Sequence, residues 1–164
     1  MPSPLADNPF AVLTLIAAPA VFTNASSVLA LGTGNRLART MDRTRALAQM
    51  LHAKPPDEEA AKVWGQQIDR LQVRARLLVR AMSFFYGAVG CFAAASLVAL
   101  LGASLAASEY RLPFAVTAGI SFLAGAAGFV GQVAGCFLLV RETRLALITL
   151  SEEARLARSE LKLK

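Results

Sequence analysis

Three stretches of the chain carry no charged residue. They run from 8 to 35, from 81 to 108 and from 112 to 140, bounded by Asp7 and Arg36, Arg80 and Glu109, and Arg111 and Arg141. A hydrocarbon core about 30 Å thick is crossed by roughly 20 helical residues, so each stretch is long enough to span one. Lipid offers no hydrogen-bond partner to a backbone amide, and uninterrupted runs of this kind become helices. The alternating ten-residue segments of a membrane barrel are absent. The pattern predicts three transmembrane helices, at about 9–34, 81–108 and 113–140.

Past each run the helical pattern continues. Leu37, Met41, Thr44, Ala48 and Leu51 follow the first run at spacings of three and four, until His52-Ala53-Lys54-Pro55-Pro56, where proline excludes its predecessor from the helical region. Asp57, Glu58 and Glu59 suit the positive end of a new helix dipole. Trp64, Ile68, Leu71, Ala75 and Leu78 then form a seam at coiled-coil spacing that runs unbroken into the second span. Glu109-Tyr110-Arg111-Leu112 reads as a tight turn, and Pro113 falls in the first turn of a helix, where it is tolerated. The third helix continues beyond Arg141 through Leu147, Leu150, Ala154, Ala157 and Leu161. The expected fold class is an all-α membrane protein of three long helices, about 9–51, 57–108 and 113–162, that extend into a cytoplasmic bundle. Residues 1–164 form a single membrane domain with a helical hairpin at about 35–80 and a C-terminal helix at about 141–162.

Charge then sets the orientation. Of the 17 Lys and Arg, ten lie in 36–80, six in 141–164 and one in the turn at 109–111. The positive-inside rule places the hairpin and the C-terminus in the cytoplasm, and the N-terminus and the second turn outside. The net charge of +6 is accounted for by this distribution. Neither basic segment is interleaved with stacking aromatics, so no nucleic-acid partner is implied. A cleavable signal peptide would need a basic residue ahead of its apolar core, and nothing before Arg36 is positive.

The inventory for catalysis is thin. His52 is the one histidine and sits in a proline-bounded loop; two cysteines cannot build a zinc site, so no metal and no cofactor is expected. Cys91 and Cys136 fall at different depths in their spans and read as packing residues without a disulfide. Gly32-Thr33-Gly34 lacks the third glycine and the preceding strand of a dinucleotide loop. Asn24-Ala25-Ser26 has the form of a glycosylation sequon but lies within the first span.

Four sets of residues are singled out. On the first helix Pro19 removes one backbone bond and marks a kink, and a polar, small-residue stripe gathers Pro19, Ala20, Thr23, Ser26, Ser27, Ala30 and Gly34, with Asn24 at its edge. Such a stripe wants protein or water beside it, as a packing face or as the wall of a polar pathway. Arg36, Arg39 and Arg43 share the opposite arc, suited to anionic lipid headgroups and topology setting, with Arg43 placed to pair with an acid such as Asp69. Phe84, Phe85 and Tyr86 add an interfacial aromatic belt. Gly125, Gly128, Gly131 and Gly135 on the third helix, and Gly87 and Gly90 on the second, allow close helix contact within a chain or between copies.

Ala18-Pro19-Ala20, Asn35-Arg36-Leu37-Ala38-Arg39 and Asp42-Arg43-Thr44-Arg45 together resemble an uncharacterised bacterial membrane family known only as a domain of unknown function. The resemblance spans most of the chain and implies the three-span topology and a bacterial inner-membrane home; it brings no activity or ligand. The expected function is that of a non-enzymatic inner-membrane homo-oligomer in contact with membrane lipids, with an ion or small-solute channel as one form of it. The alternative is a membrane-tethered scaffold that docks a cytoplasmic protein partner through the basic hairpin and C-terminal helix.

Overall fold

The computed structural model describes the backbone of residues 9–53, 58–106 and 111–162, and the side chains within 17–52, 64–104 and 115–151. Three helices account for all of it: α1 (Pro9–Ala53), α2 (Glu58–Ala106) and α3 (Arg111–Lys162). Each end lies within two residues of the expected position. The proline loop and the tail seam at Ala154, Ala157 and Leu161 lie outside the residues described in full, as do Glu109 and Tyr110 of the expected turn, whose last two residues, Arg111 and Leu112, instead open α3. The described part of α1 reaches Ala53, the residue before Lys54-Pro55. It stays helical through Pro19.

Trp64–Ser104 in α2 and Ala115–Ser151 in α3 are long and apolar enough to cross a membrane, judged by length and composition. α1 does not meet that standard over its described residues: Thr23, Asn24, Ser26 and Ser27 dilute the apolar run, and residues 9–16 fall outside them.

α2 carries the most regular interior face. Leu71, Leu78, Ala81, Phe85, Ala88, Phe92, Ala95, Ala99 and Gly102 are buried. After the first heptad their spacing alternates between three and four, the signature of a seam packed knobs into holes. The expected positions Leu71 and Leu78 lie on it, with Trp64, Ile68 and Ala75 half-buried beside them. Phe85, expected in the interfacial belt, is fully buried because it falls on this seam; Phe84 and Tyr86 on either side are exposed.

Packing divides the chain into two units. The first comprises residues 1–31 and 83–134, the second residues 32–82 and 135–164. Within the first unit an aromatic cluster joins the three helices. Phe22 of α1 stacks on Phe92 of α2 with ring centroids 5.3 Å apart, and meets Phe129 of α3 edge-on at 6.1 Å. α3 approaches α2 through positions with little or no side chain. A Cβ at Gly128 would lie 2.9 Å from Phe92 Cε1 and 3.1 Å from the Cys91 Cβ, and one at Gly131 would lie 3.5 Å from the Phe84 carbonyl oxygen. Nearer the other end of this contact a Cβ at Gly102 would meet Thr117 Oγ1 at 2.7 Å. The Ser121 hydroxyl donates to the Ala95 carbonyl at 2.8 Å, an interhelical bond that such close approach permits.

Within the second unit α1 buries Thr33 and Thr40, and α3 buries Glu142. Here the expected seams need correction. On α1 the interior line is Ser26, Ala30, Thr33, Leu37, Thr40 and Thr44, and Met41 is exposed. Thr40 can take the interior place because its hydroxyl donates to the Arg36 carbonyl at 2.9 Å, which leaves only its methyl to pack. On α3 the interior line continues through Leu138, Glu142, Ala146 and Thr149, so Leu147 and Leu150 face outward.

Candidate functional site

The polar stripe of α1 divides when its bonds are traced. Thr23 donates to the Pro19 carbonyl at 2.8 Å and Ser27 to the Thr23 carbonyl at 2.9 Å, so both hydroxyls are satisfied by their own helix. Proline has no N–H to give the helix, and the Thr23 bond adds a side-chain donor one turn on. Ser26 is fully buried and donates to Gln132 Oε1 on α3 at 3.2 Å. Gln132 was not singled out in the sequence. Asn24 and Ser27 are exposed on the outer surface of the first unit, and Pro19 and Thr23 are half-exposed.

The glycines divide as well. Gly128, Gly131 and Gly135 lie on the inward line of α3, the first two at close approaches to α2. Gly87 and Gly90 are exposed on α2 with nothing within 4 Å of an added Cβ, and Gly125 is equally open. Ser83 and Ala94 extend the exposed α2 positions at spacings of four and three.

A cluster of charge drawn from all three helices is built around a residue that sequence reasoning missed. Glu142 is 3% exposed. Its Oε1 accepts from Nε of Arg74 at 2.8 Å and forms an ion pair with Nη2 of the same side chain, also at 2.8 Å, and Arg74 is itself 20% exposed. Arg36 completes the cluster from α1: its Nη1 lies 3.8 Å from Glu142 Oε2 and donates to Thr143 Oγ1 at 3.2 Å. Thr143 in turn donates to the Leu139 carbonyl at 2.9 Å. One carboxylate from α3 thus ties together guanidiniums from α1 and α2. A forked guanidinium at these distances makes charge-assisted bonds, the strong kind. The signal was present in the sequence: Glu142 follows Gly128, Gly131, Gly135 and Leu138 at helical spacing, which puts it on the packed face.

Arg36 therefore has a protein partner while remaining 53% exposed. Arg39 and Arg43 are exposed on the same helix, and Arg45 makes a solvated i,i+3 contact with Asp42 at 3.8 Å, worth little to stability. Beside the cluster a groove of about 370 Å³ opens between α1 and α3, lined by Arg36, Cys136, Leu139, Val140, Thr143 and Arg144. Cys91 and Cys136 are free thiols, both half-buried. Among the described residues no three His, Cys, Asp or Glu side chains group as metal ligands would.

The sequence profile described as "Protein of unknown function (DUF2721)" matches residues 16–152, most of the chain. The chain belongs to the DUF2721 family. No curated protein and no solved structure gives a significant match. For this DUF2721 protein the matched region contains the polar stripe, the arginine segment, the inward glycines and Glu142 with both of its guanidinium partners. Membership of DUF2721 supplies no activity, so the functional reading rests on the geometry.

Proposed function

We propose that this DUF2721 protein is a non-enzymatic integral protein of the bacterial inner membrane that works as a homo-oligomer, its N-terminus outside and its C-terminus in the cytoplasm. The observation that carries the reading is the outward display of apolar side chains. Of the most apolar stretch of Ala115–Ser151 only 11% is buried within the chain, and of that in Trp64–Ser104 28%. A helix in a water-soluble core would bury most of such a surface; here Phe122, Leu123, Val130 and Phe137 stand exposed, as lipid-facing residues do.

Self-association is supported by polar groups within this apolar surface. Asn24 faces outward from the first expected span, where an amide in hydrocarbon is costly, and the exposed Ser83, Gly87, Gly90 and Ala94 positions give a second copy a flat approach. An ion or small-solute pathway is the form of this oligomer in which Asn24 and Ser27 of several copies converge on water. The protein in lipid nanodiscs is expected to contain more than one copy, by mass photometry, and Gly87→Leu with Gly90→Leu to reduce it to one. A wild-type protein that stays single at every concentration overturns the oligomer and the pathway together. Flux into liposomes that Ser27→Trp abolishes would support the pathway.

The scaffold reading is favoured by a different observation. Met41, Met50, Leu147, Ile148 and Leu150 are exposed in the second unit, beyond Arg36 and Arg141, where the proposed topology leaves no lipid to cover them. Leu147→Glu with Leu150→Glu should then abolish capture of a cytoplasmic partner and leave insertion and subunit number unchanged.

A further inference from the structure

Resting on the membrane placement just proposed, we infer that the groove between α1 and α3 in the second unit is a binding site for one anionic phospholipid. Its two ends differ in chemistry. Cys136, Leu139 and Val140 belong to the uncharged run that closes at 140, whereas Arg36, Thr143 and Arg144 lie just past the ends of two such runs. The apolar wall is therefore on the hydrocarbon side and the cationic rim on the side of the headgroups. From residue 136 to 144 α3 rises about 12 Å, enough for a headgroup and the first methylenes of an acyl chain.

Charge at the rim is unbalanced. Glu142 holds Arg74 by a hydrogen bond and an ion-pair contact, both at 2.8 Å, while Arg36 stands 3.8 Å away from it, and Arg144 is in no ion pair among the described residues. Three guanidiniums against one carboxylate leave two positive charges beside the apolar wall. Arg36 commits only Nη1, to Thr143 and Glu142, which orients the guanidinium while leaving its other donors for a ligand. A phosphodiester bearing acyl chains satisfies both ends. A free phosphate would meet the guanidiniums and leave Leu139 and Val140 uncovered.

The test places a tryptophan on the wall, Val140→Trp in a Trp64→Phe background, in the full chain reconstituted with lipids brominated on their acyl chains. Brominated phosphatidylglycerol is expected to quench this tryptophan in preference to brominated phosphatidylcholine. Arg144→Gln should reduce the preference by about five-fold, the factor one basic residue near a membrane surface contributes. Arg144→Lys should retain most of it, and Arg39→Gln, exposed on α1 outside the groove, should change it far less. Since Arg144 ties no helices together, its variant probes the site without disturbing the Glu142 cluster.

Equal quenching by the two lipids overturns the lipid site and leaves the membrane placement standing; so does an equal loss from Arg39→Gln and Arg144→Gln, the mark of diffuse attraction. Loss of the preference on adding millimolar inorganic phosphate, at constant ionic strength, would assign the rim to a free anion and overturn the proposal. Absence of quenching by either lipid overturns the site and the membrane placement together.

Discussion

Glu142 shows how unequal the members of one ion-pair cluster can be. With the carboxylate 3% exposed and Arg74 20% exposed, removing Glu142 leaves a guanidinium largely out of water with no counter-charge. Breaking a buried pair in this way costs about 3–5 kcal/mol. Arg36 is half in solvent and 3.8 Å away, so its electrostatic share is screened and its loss should cost roughly 1 kcal/mol or less. Glu142→Ala is thus expected to destabilise the purified protein severalfold more than Arg36→Ala, as read from urea unfolding in mild detergent. Replacing Glu142 and Arg74 together by methionine should recover much of the loss, because no charge is then left buried. Equal effects from Glu142→Ala and Arg36→Ala would contradict this account of the cluster.

At the scale of elements, the same small residues do two different jobs according to the face they occupy. Gly128 is filled by its neighbours: an added Cβ comes within 2.9 Å of Phe92 and 3.1 Å of Cys91, whose position on a helix cannot move cheaply. Gly128→Val should therefore push α3 from α2 and destabilise the fold by about 1–3 kcal/mol, the usual range for overpacking. Gly90→Ala meets nothing within 4 Å and should leave thermal stability unchanged or raise it by up to about 1 kcal/mol through helix propensity. Differential scanning fluorimetry of the two variants would separate these positions; a destabilised Gly90→Ala would mean that its surface is already in use between copies.

The helices themselves were legible because the uncharged runs 8–35, 81–108 and 112–140 and the Pro55-Pro56 pair are signals that no tertiary contact has to supply; Arg36 and Arg141 close such runs inside α1 and α3 without ending the helix. The faces were legible only in part. Leu71 and Leu78 advertise the α2 seam by being large and apolar, but on α1 and α3 the interior positions are Thr33, Thr40, Ala146 and Glu142, while Met41, Leu147 and Leu150 look outward. A search for the greasiest stripe therefore rotates those two helices by about one position. Closeness of approach, which favours small side chains, governs the interior there. The Glu142 cluster escaped for a related reason, since a lone acid flanked by Arg141 and Arg144 looks solvated until its helical phase with the glycines is drawn.

For the whole molecule, given the proposed membrane placement, the decisive question is which side the second unit occupies. Its basic residues are ten in 36–80 and six in 141–164, against one, Arg111, at the start of α3, an asymmetry that by the positive-inside rule favours the cytoplasmic side of the proposed membrane for both basic segments. The arrangement of Glu142 gives a second reason. α1, α2 and α3 each contribute a charged group to one cluster in the second unit, so moving any one of those helical ends across lipid separately would break ion pairs as well as carry arginines through hydrocarbon. In a background of Cys91→Ala and Cys136→Ser, the exposed positions Met50→Cys and Ser151→Cys should resist a membrane-impermeant maleimide in intact cells and react after permeabilisation. Ser108→Cys, in the sequence between α2 and α3, should react in both. Labelling of position 50 or 151 in intact cells would place the cluster on the outer face and reverse the topology. Reaction at all three without permeabilisation, in a protein that dissolves without detergent, would remove the membrane from the account and leave the exposed apolar surface to be covered by other protein chains.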